Sequence, residues 1–443
     1  MKQTDRIDWA LGDHLEMEFP AHANALKAGG EEFLTRAFQA CGALPPGTNV
    51  THVAFGDELW IGGSGPKMVL TVDYDRADPG LSRKLFVKFS RCFDQPTRDR
   101  ARYHMEPEVQ LALLARDPSF PVAVPKCAFA DFEHASGTGI LITECIPFGE
   151  GAVEPQHDKH MDHVLPDPLG HYQVLMATLA LLAGSHKSGK LSPRFEAAFP
   201  WDPEAYRRGL LNPFDEKGLI SRVNRLADFV HRYPHLFEPH LAEPAFLDGF
   251  RADASRLIAQ QHDLLGRLLS DPDMIALCHW NGNIDNAWFW RKEDGSLGCG
   301  LLDWGSVGQM HIAQTIWGAL GGAELPFLDA HMTELVDRFS ADFTRAGGPA
   351  LDRGRLQQAL EVQIIVRGLG TLLPMPRAVL KGVPDPDQAA DCNDPLFVDN
   401  WMPRSMLKGS RIFLHMWRRF DLGKWLRADS AGERRPALDV SSQ

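Results

Sequence analysis

Two oxygen-bearing side chains, Asn286 and Asp303, stand at the ends of a segment that reads as a hairpin. Just upstream lies the loop His279-Trp280-Asn281-Gly282-Asn283-Ile284-Asp285. A carboxylate and an amide oxygen brought to one point suit Mg²⁺, which binds through one or two carboxylates and completes its shell with water and phosphate oxygens. Phosphoryl transfer needs such a cation, because that reaction asks the protein for positioning and charge neutralisation rather than for covalent chemistry. Ala287-Trp288-Phe289-Trp290 and Cys299-Gly300-Leu301-Leu302 are apolar, strand-like runs on either side of the polar turn Lys292-Glu293-Asp294-Gly295-Ser296. Folding one onto the other returns Asp303 to the neighbourhood of Asn286.

The elements that would hold a nucleotide against that cation are expected upstream, and the sequence offers them in order. Glu58-Leu59-Trp60-Ile61 and Met68-Val69-Leu70-Thr71-Val72 flank Gly62-Gly63-Ser64-Gly65, a turn whose missing side chains let backbone N–H groups approach phosphate oxygens. It matches neither a Walker A sequence nor a Rossmann fingerprint. In Lys84-Leu85-Phe86-Val87-Lys88-Phe89 an alternating strand places Lys88 among apolar neighbours, where an ammonium needs a partner. Glu108, followed by Leu111, Ala112 and Ala115 at helical spacing after Pro107, is the expected partner, with Glu106 as the rival. Two further strands are expected near Ala128–Asp131 and Gly139–Glu144.

The loop and hairpin resemble those of the aminoglycoside phosphotransferase and choline kinase-like superfamily, whose pattern is H-x-D-x4-N, two strands, then I-D-W. Here the pattern stands as His279, Asn281, Asn286 and Leu302-Asp303-Trp304. The resemblance implies a two-lobed, protein-kinase-like α/β fold, with a small strand-rich N-lobe and a larger, mainly helical C-lobe. It also implies ATP or GTP and Mg²⁺ as cofactors, and transfer to a hydroxyl of a small molecule. His279 would brace the loop, and Asn286 and Asp303 would hold the metal. Lys88 would contact the α and β phosphates and pair with Glu108. Backbone groups from Glu144 to Ile146 would meet the purine edge at the hinge between lobes.

Asn281 departs from the pattern, because it occupies the position of the family's aspartate base. An amide cannot accept the acceptor hydroxyl's proton, although it can orient that hydroxyl. General base catalysis contributes about 10²–10⁴-fold, a small part of an enzyme's total acceleration. Asp285 is the nearest spare carboxylate, able to join the metal shell, brace the loop or face the acceptor beside Asn281. Two readings follow: a working phosphotransferase, or a pseudokinase-like module that binds nucleotide without transferring it. Nucleotidyl transfer in a similar cleft is a third.

Composition bounds the rest. The chain has 443 residues, 44% of them hydrophobic, enough for two or three domains. The expected division is a helical preface over 1–48, an N-lobe over 49–148, a C-lobe over 149–426 and a disordered tail over 427–443. A net charge of −12 argues against nucleic acid as a partner. The late basic run from Arg404 to Arg427 reads as a solvated helix face. Seven scattered cysteines, no apolar leader and no long apolar span point to a cytoplasmic protein without a membrane partner.

Long helices are expected over Ala21–Ala40, Tyr172–His186, Phe246–Leu269, Ile312–Leu320, Ala330–Ala346, Arg355–Leu372 and Asn400–Leu422. His157, His160 and His163 read as a solvated loop in preference to a metal site. Asp385, Asp387, Asp391 and Asp394 read as solvated. Trp288 and Trp290 are expected in the core, while Trp280 and Trp304 are the indoles expected near a substrate.

Overall fold

The computed structural model describes residues 6–60, 62 and 65–427. Ile61, Gly63 and Ser64 of the glycine-rich turn, and the tail beyond Arg427, lie outside the described residues. Within them the chain has two lobes, each with its own hydrophobic core.

The first lobe opens with strands β1 (Trp9–Leu11) and β2 (Glu18–Pro20), followed by helix α1 (Ala23–Ala40). His22 caps α1, its Nδ1 accepting the Ala25 N–H at 3.2 Å, and Gly30 interrupts the helix with φ +48°. A five-stranded antiparallel sheet follows, built from β3 (Val50–Phe55), β4 (Lys67–Tyr74), β5 (Lys84–Phe89), β6 (Cys127–Glu133) and β7 (Thr138–Glu144). Its spatial order is β3-β4-β5-β7-β6. Between β5 and β6 lie the single-turn helix α2 (Pro96–Asp99) and helix α3 (Met105–Leu114).

Strand alternation decides which side chains face the core. Met68, Leu70 and Val72 of β4, with Leu85, Val87 and Phe89 of β5, pack inward, so Lys88 projects from the opposite face of its strand. The first 48 residues do not form a separate preface. Phe33, Leu34 and Phe38 of α1 share one core with the sheet, because the amphipathic helix has only the sheet's apolar face on which to bury its own.

The second lobe is mainly helical. Helices α4 (Pro168–Lys187), α5 (Pro193–Ala198), α6 (Pro203–Leu210), α7 (Glu216–Arg232), α8 (Pro244–Ala254) and α9 (Leu257–Leu269) come first. A strand-rich insert then carries β8 (Ile275–Cys278), β9 (Ala287–Arg291), β10 (Leu297–Leu301) and β11 (Gly308–His311). Helices α10 (Ile312–Ala319), α11 (Leu325–Ala346), α12 (Arg353–Thr371), α13 (Met375–Gly382), α14 (Pro395–Val398) and α15 (Trp401–Arg419) complete it.

The long helix expected over Phe246–Leu269 is two helices. Ser255 donates its hydroxyl to the Arg251 carbonyl at 2.7 Å and ends α8 before α9 begins. The expected start of α11 at Ala330 is late by more than a turn: the helix begins at Leu325, since Pro326 occupies a first-turn position where its missing N–H costs nothing. Helices α4 and α11 cross closely at Gly184, where a Cβ would collide with the Phe343 carbonyl. No helix among the described residues is long and apolar enough to cross a membrane.

Candidate active site

The hairpin forms in the expected register, with β9 and β10 antiparallel and Ala287 opposite Leu301. The pairing extends one step further, where the Leu302 N–H donates to the Asn286 carbonyl at 2.7 Å. Asp303 therefore emerges directly beyond the residue that faces Asn286. Trp290 and Trp288 lie over Gly298 and Gly300 on the partner strand, where side chains would collide with the indoles.

Asp303 adopts φ +57°, a left-handed conformation uncommon for a residue with a side chain and found where surrounding structure holds it. Its carboxylate Oδ1 lies 2.7 Å from Lys88 Nζ, and the same ammonium lies 2.6 Å from Glu108 Oε2. Lys88 thus joins β5, α3 and the far end of the hairpin across the two lobes. Glu106, the rival, turns outward to His134 Nδ1 at 3.0 Å.

The two carboxylates on Lys88 differ in exposure. The Asp303 side chain keeps 51% of its surface open to the cleft, whereas Glu108 keeps 7%. The charge of Lys88 pulls the Asp303 carboxyl down to about 2, against burial. Burial pushes Glu108 up despite the same lysine. For Lys88, burial favours the neutral form, but Asp303 and Glu108 outweigh it and the net shift is upward.

His279 is buried and holds the loop from both sides. Its Nδ1 accepts the Asn281 N–H at 3.2 Å and its Nε2 meets the Leu302 carbonyl at 2.8 Å. A carbonyl can only accept, so Nε2 carries the proton and the ring is neutral. Burial lowers its pKa in agreement. Trp304 packs on this ring at a tilt, with centroids 4.4 Å apart, is 4% exposed, and donates Nε1–H to the Leu301 carbonyl at 3.0 Å. It is a brace beneath the loop, not an indole open to substrate, because the hairpin's return folds it inward. Trp280 is partly buried under the Arg367 guanidinium, 5.6 Å from the ring centroid.

Asn286 donates Nδ2–H to the Asn281 carbonyl at 2.9 Å, which leaves its amide oxygen as the atom able to bind a cation. A hard amide oxygen with an ionised, half-open carboxylate is a donor set that fits Mg²⁺. Asn283 lies between Asn281 and Asp285, and with its amide nitrogen turned to the carboxylate it donates to Asp285 Oδ1 at 2.8 Å. Asp285 Oδ2 faces Lys159 Nζ at 3.3 Å, and its side chain is 16% exposed. Burial raises its pKa, with Lys159 opposing.

Beyond Asp285 lies further polar machinery. Tyr172 donates its hydroxyl to Asp162 Oδ2 at 2.5 Å, and buried Lys408 reaches Glu324 Oε1 and His163 Nδ1, each at 3.1 Å. Burial raises Asp162 to about 6; the Tyr172 bond opposes it, and Asp285 and Glu324 add to it.

The glycine-rich turn is described only at Gly62 and Gly65. Gly62 is exposed with φ +72°, and Arg98 of α2 donates to its carbonyl at 2.7 Å. Gly65 is buried against the carbonyls of Phe89 and Arg91, so its lack of a side chain serves close packing on β5. Lys67 is the residue that sequence reasoning passed over. It pairs in register with Lys88 and donates to the Gly65 carbonyl at 2.9 Å, and burial, then Lys88, lowers its pKa to about 8.

At the hinge, the Glu144 N–H donates to the Lys126 carbonyl at 2.8 Å and the Cys145 N–H to the Lys84 carbonyl at 2.9 Å. The Glu144 carboxylate accepts the Lys126 N–H at 2.9 Å, so the side chain is occupied within the sheet. The Ile146 N–H is the next amide beyond these pairs.

The acidic stretch is spent on local structure. Asp394 caps α14 by accepting the Leu396 N–H at 3.0 Å, and Asp385 accepts from Gln388 at 2.8 Å. The late basic run is a solvated face only in its second half: Arg404, Lys408 and Arg411 are buried, because α15 packs on acidic partners such as Glu324 and Glu238, while Arg418 and Arg427 are exposed.

No family model matches the sequence, and no curated protein matches it. Solved structures do. A microcompartment-associated aminopropanol kinase is 14% identical with TM-score 0.42, covering 89% of this chain and 99% of that one. A spectinomycin phosphotransferase in complex with ADP and spectinomycin is 13% identical with TM-score 0.38, covering 83% and 94%. The Plasmodium vivax ethanolamine kinase is 13% identical with TM-score 0.37, covering 80% of each chain. The topology itself, a five-stranded lobe whose strand lysine pairs with a helix glutamate above a helical lobe, is the two-lobed protein-kinase-like α/β fold.

Proposed function

We propose that the protein is a phosphotransferase that uses Mg²⁺ and ATP or GTP to phosphorylate a hydroxyl of a small molecule. The observation that carries this reading is the three-way junction of Lys88 with Glu108 and Asp303. A lysine so held presents one cation at a fixed point of the cleft, beside a carboxylate that is ionised and open.

In this reading Asn286 Oδ1 and Asp303 hold Mg²⁺, which when bound neutralises the charge of the transferred phosphoryl group. Lys88 orients the phosphates, with Glu108 keeping the ammonium in place. Gly62 and Gly65 belong to the turn that would cover them; Gly63 and Ser64, expected to share that role, lie outside the described residues. Backbone groups from Glu144 to Ile146 meet the purine edge. His279, neutral and fixed, keeps the loop in shape. Asn281 orients the acceptor hydroxyl, and Asp285, held near it through Asn283, is the carboxylate available to receive the proton. The seven free thiols suit a reducing compartment, the cytoplasm.

The test is a metabolite screen with γ-labelled ATP on wild type and on Asp303→Ala. Label transfer by wild type and loss of at least about 10²-fold in Asp303→Ala are expected. The pseudokinase-like alternative wins if wild type binds Mg·ATP without transfer or hydrolysis while Asn281→Asp gains either.

A further inference from the structure

The loop that leaves the interlobe hinge brings His157 to a place the sequence does not suggest. The three histidines of the 157–163 stretch separate: His160 Nδ1 faces Ser405 Oγ at 3.1 Å, His163 turns to Lys408, and His157 joins Glu154 and His171. One ligand-type atom from each of Glu154, His157 and His171 lies within 4.8 Å of the other two.

His171, in the first turns of α4, is fully buried. Its Nδ1 lies 2.6 Å from the Asp167 carbonyl, which can only accept, so Nδ1 carries a proton and Nε2 is the nitrogen whose lone pair a cation can use. That Nε2 lies 2.7 Å from Glu154 Oε2. The other carboxylate oxygen, Oε1, takes Arg291 Nε at 3.1 Å, which directs Oε2 at the histidines. His157 Nε2 lies 3.6 Å from the same Oε2, too far for a hydrogen bond, and is buried without a partner. An unpartnered ring nitrogen facing a carboxylate and a second imidazole is costly unless something joins them.

We propose that Glu154 Oε2, His157 Nε2 and His171 Nε2 form a site for a transition-metal dication of the Zn²⁺ class, with water as the fourth ligand. Separations of 2.7 and 3.6 Å bracket the roughly 3.3 Å edge of a tetrahedron with bonds of about 2.0–2.1 Å. The Asp167 carbonyl on His171 is the outer support that fixes a ligating imidazole's tautomer. On binding, the cation replaces the proton between His171 and Glu154. With side-chain exposures of 16% for His157 and 15% for Glu154, the site has a rim through which the ion and its water enter.

The ion acts as a brace. The Glu154 N–H donates to the Phe289 carbonyl at 2.8 Å and the Arg291 N–H to the Ala152 carbonyl at 2.9 Å, so the hinge segment runs beside β9. A metal there ties that segment and α4 to the strand that begins immediately after Asn286.

The experiment uses the full chain, stripped with chelator and kept in excess Mg²⁺ so that Asn286 and Asp303 do not take the added ion. Zn²⁺ is titrated against a chromophoric chelator, and Co²⁺ is added for its visible absorption. Wild type should bind one equivalent, with the intense d–d bands of tetrahedral Co²⁺. His157→Ala should lower affinity by at least about 100-fold, since loss of an outer-shell partner alone costs up to that much. His163→Ala should leave it unchanged. His157 makes no hydrogen bond, so its variant is expected to fold, and circular dichroism checks this. Absence of stoichiometric binding, or equal affinity in His157→Ala, overturns the proposal. No nucleotide or acceptor is needed, so the result stands apart from the kinase reading.

Discussion

The two ends of the cleft are built on opposite principles. At the end that would hold nucleotide, Lys88 joins two carboxylates within hydrogen-bonding distance, one sealed in the N-lobe and one open to the cleft. At the end that would hold the acceptor, the loop carries amides, Asn281, Asn283 and Asn286, and the carboxylate of Asp285 is turned to Lys159. The first end is a charge network that concentrates a cation's field. The second carries an amide at position 281 and keeps its nearest carboxylate under cover. On the phosphotransferase reading proposed above, such a cleft would hold phosphates firmly while taking up the acceptor's proton poorly.

The largest effect expected from breaking this contrast comes from Lys88→Met. Removing the ammonium strands the buried Glu108 carboxylate, at a cost of about 3–5 kcal/mol measured by urea unfolding. Phosphoryl transfer should fall about 10²–10³-fold in the fraction that remains folded. An activity loss without destabilisation would mean that Glu108 is not charged in the folded state.

Asn281→Asp sharpens the other end. Turnover should rise by up to about 10²-fold as a carboxylate returns to the loop. In the same assay Asp285→Asn should abolish the residual wild-type rate but leave Asn281→Asp active. If Asp285→Asn leaves the wild-type rate intact, Asp285 is not the proton acceptor.

The two ends also differ in the sign of their pH dependence. Lys88 depresses Asp303, so its contribution to stability is present above the unfolded value near 3.8 and lost as pH falls through about 2. Burial raises Asp285, so its contribution is present below 3.8 and lost as pH rises through its elevated folded value. Urea midpoints across pH should therefore show Asp303→Asn falling behind wild type as pH rises from about 2 to about 4, and trailing by a constant margin above that. Asp285→Asn should gain on wild type only beyond that, as pH rises from about 4 through the raised value of Asp285. Parallel curves would remove the electrostatic contrast.

The smallest effect belongs to Glu106→Gln. Its partner His134 is exposed, so stability and turnover should stay within about 0.5 kcal/mol of wild type. A larger loss would mean that Glu106 exchanges with Glu108 on the lysine.

Much of this was legible in the sequence because it depends on short range. Alternation around Lys88 assigns its side chain to the face opposite the core, and helical spacing from Glu108 to Ala115 gives the partner's face. The turn at Lys292–Ser296 sets the hairpin register and hence where Asp303 emerges. What escaped was decided across long separations. Lys67 meets Lys88 only through strand pairing, Lys159 meets Asp285 only through tertiary packing, and Trp304 is covered by His279 and Phe120 from distant segments.

The amino-acid order by itself determined a strand-rich segment ahead of a helical one, the hairpin and the kinds of atom at its ends, since each follows from periodicity and turn chemistry along neighbouring residues; the two-lobed arrangement came from the resemblance. Only the tertiary structure decided that Lys88 takes Asp303 together with Glu108, that Asp285 turns to Lys159, and that His157 leaves its neighbouring histidines for Glu154 and His171. Those choices depend on burial and on charges contributed by distant segments. A side chain's pKa and partner are properties of the space around it, and that space exists only when the chain has folded.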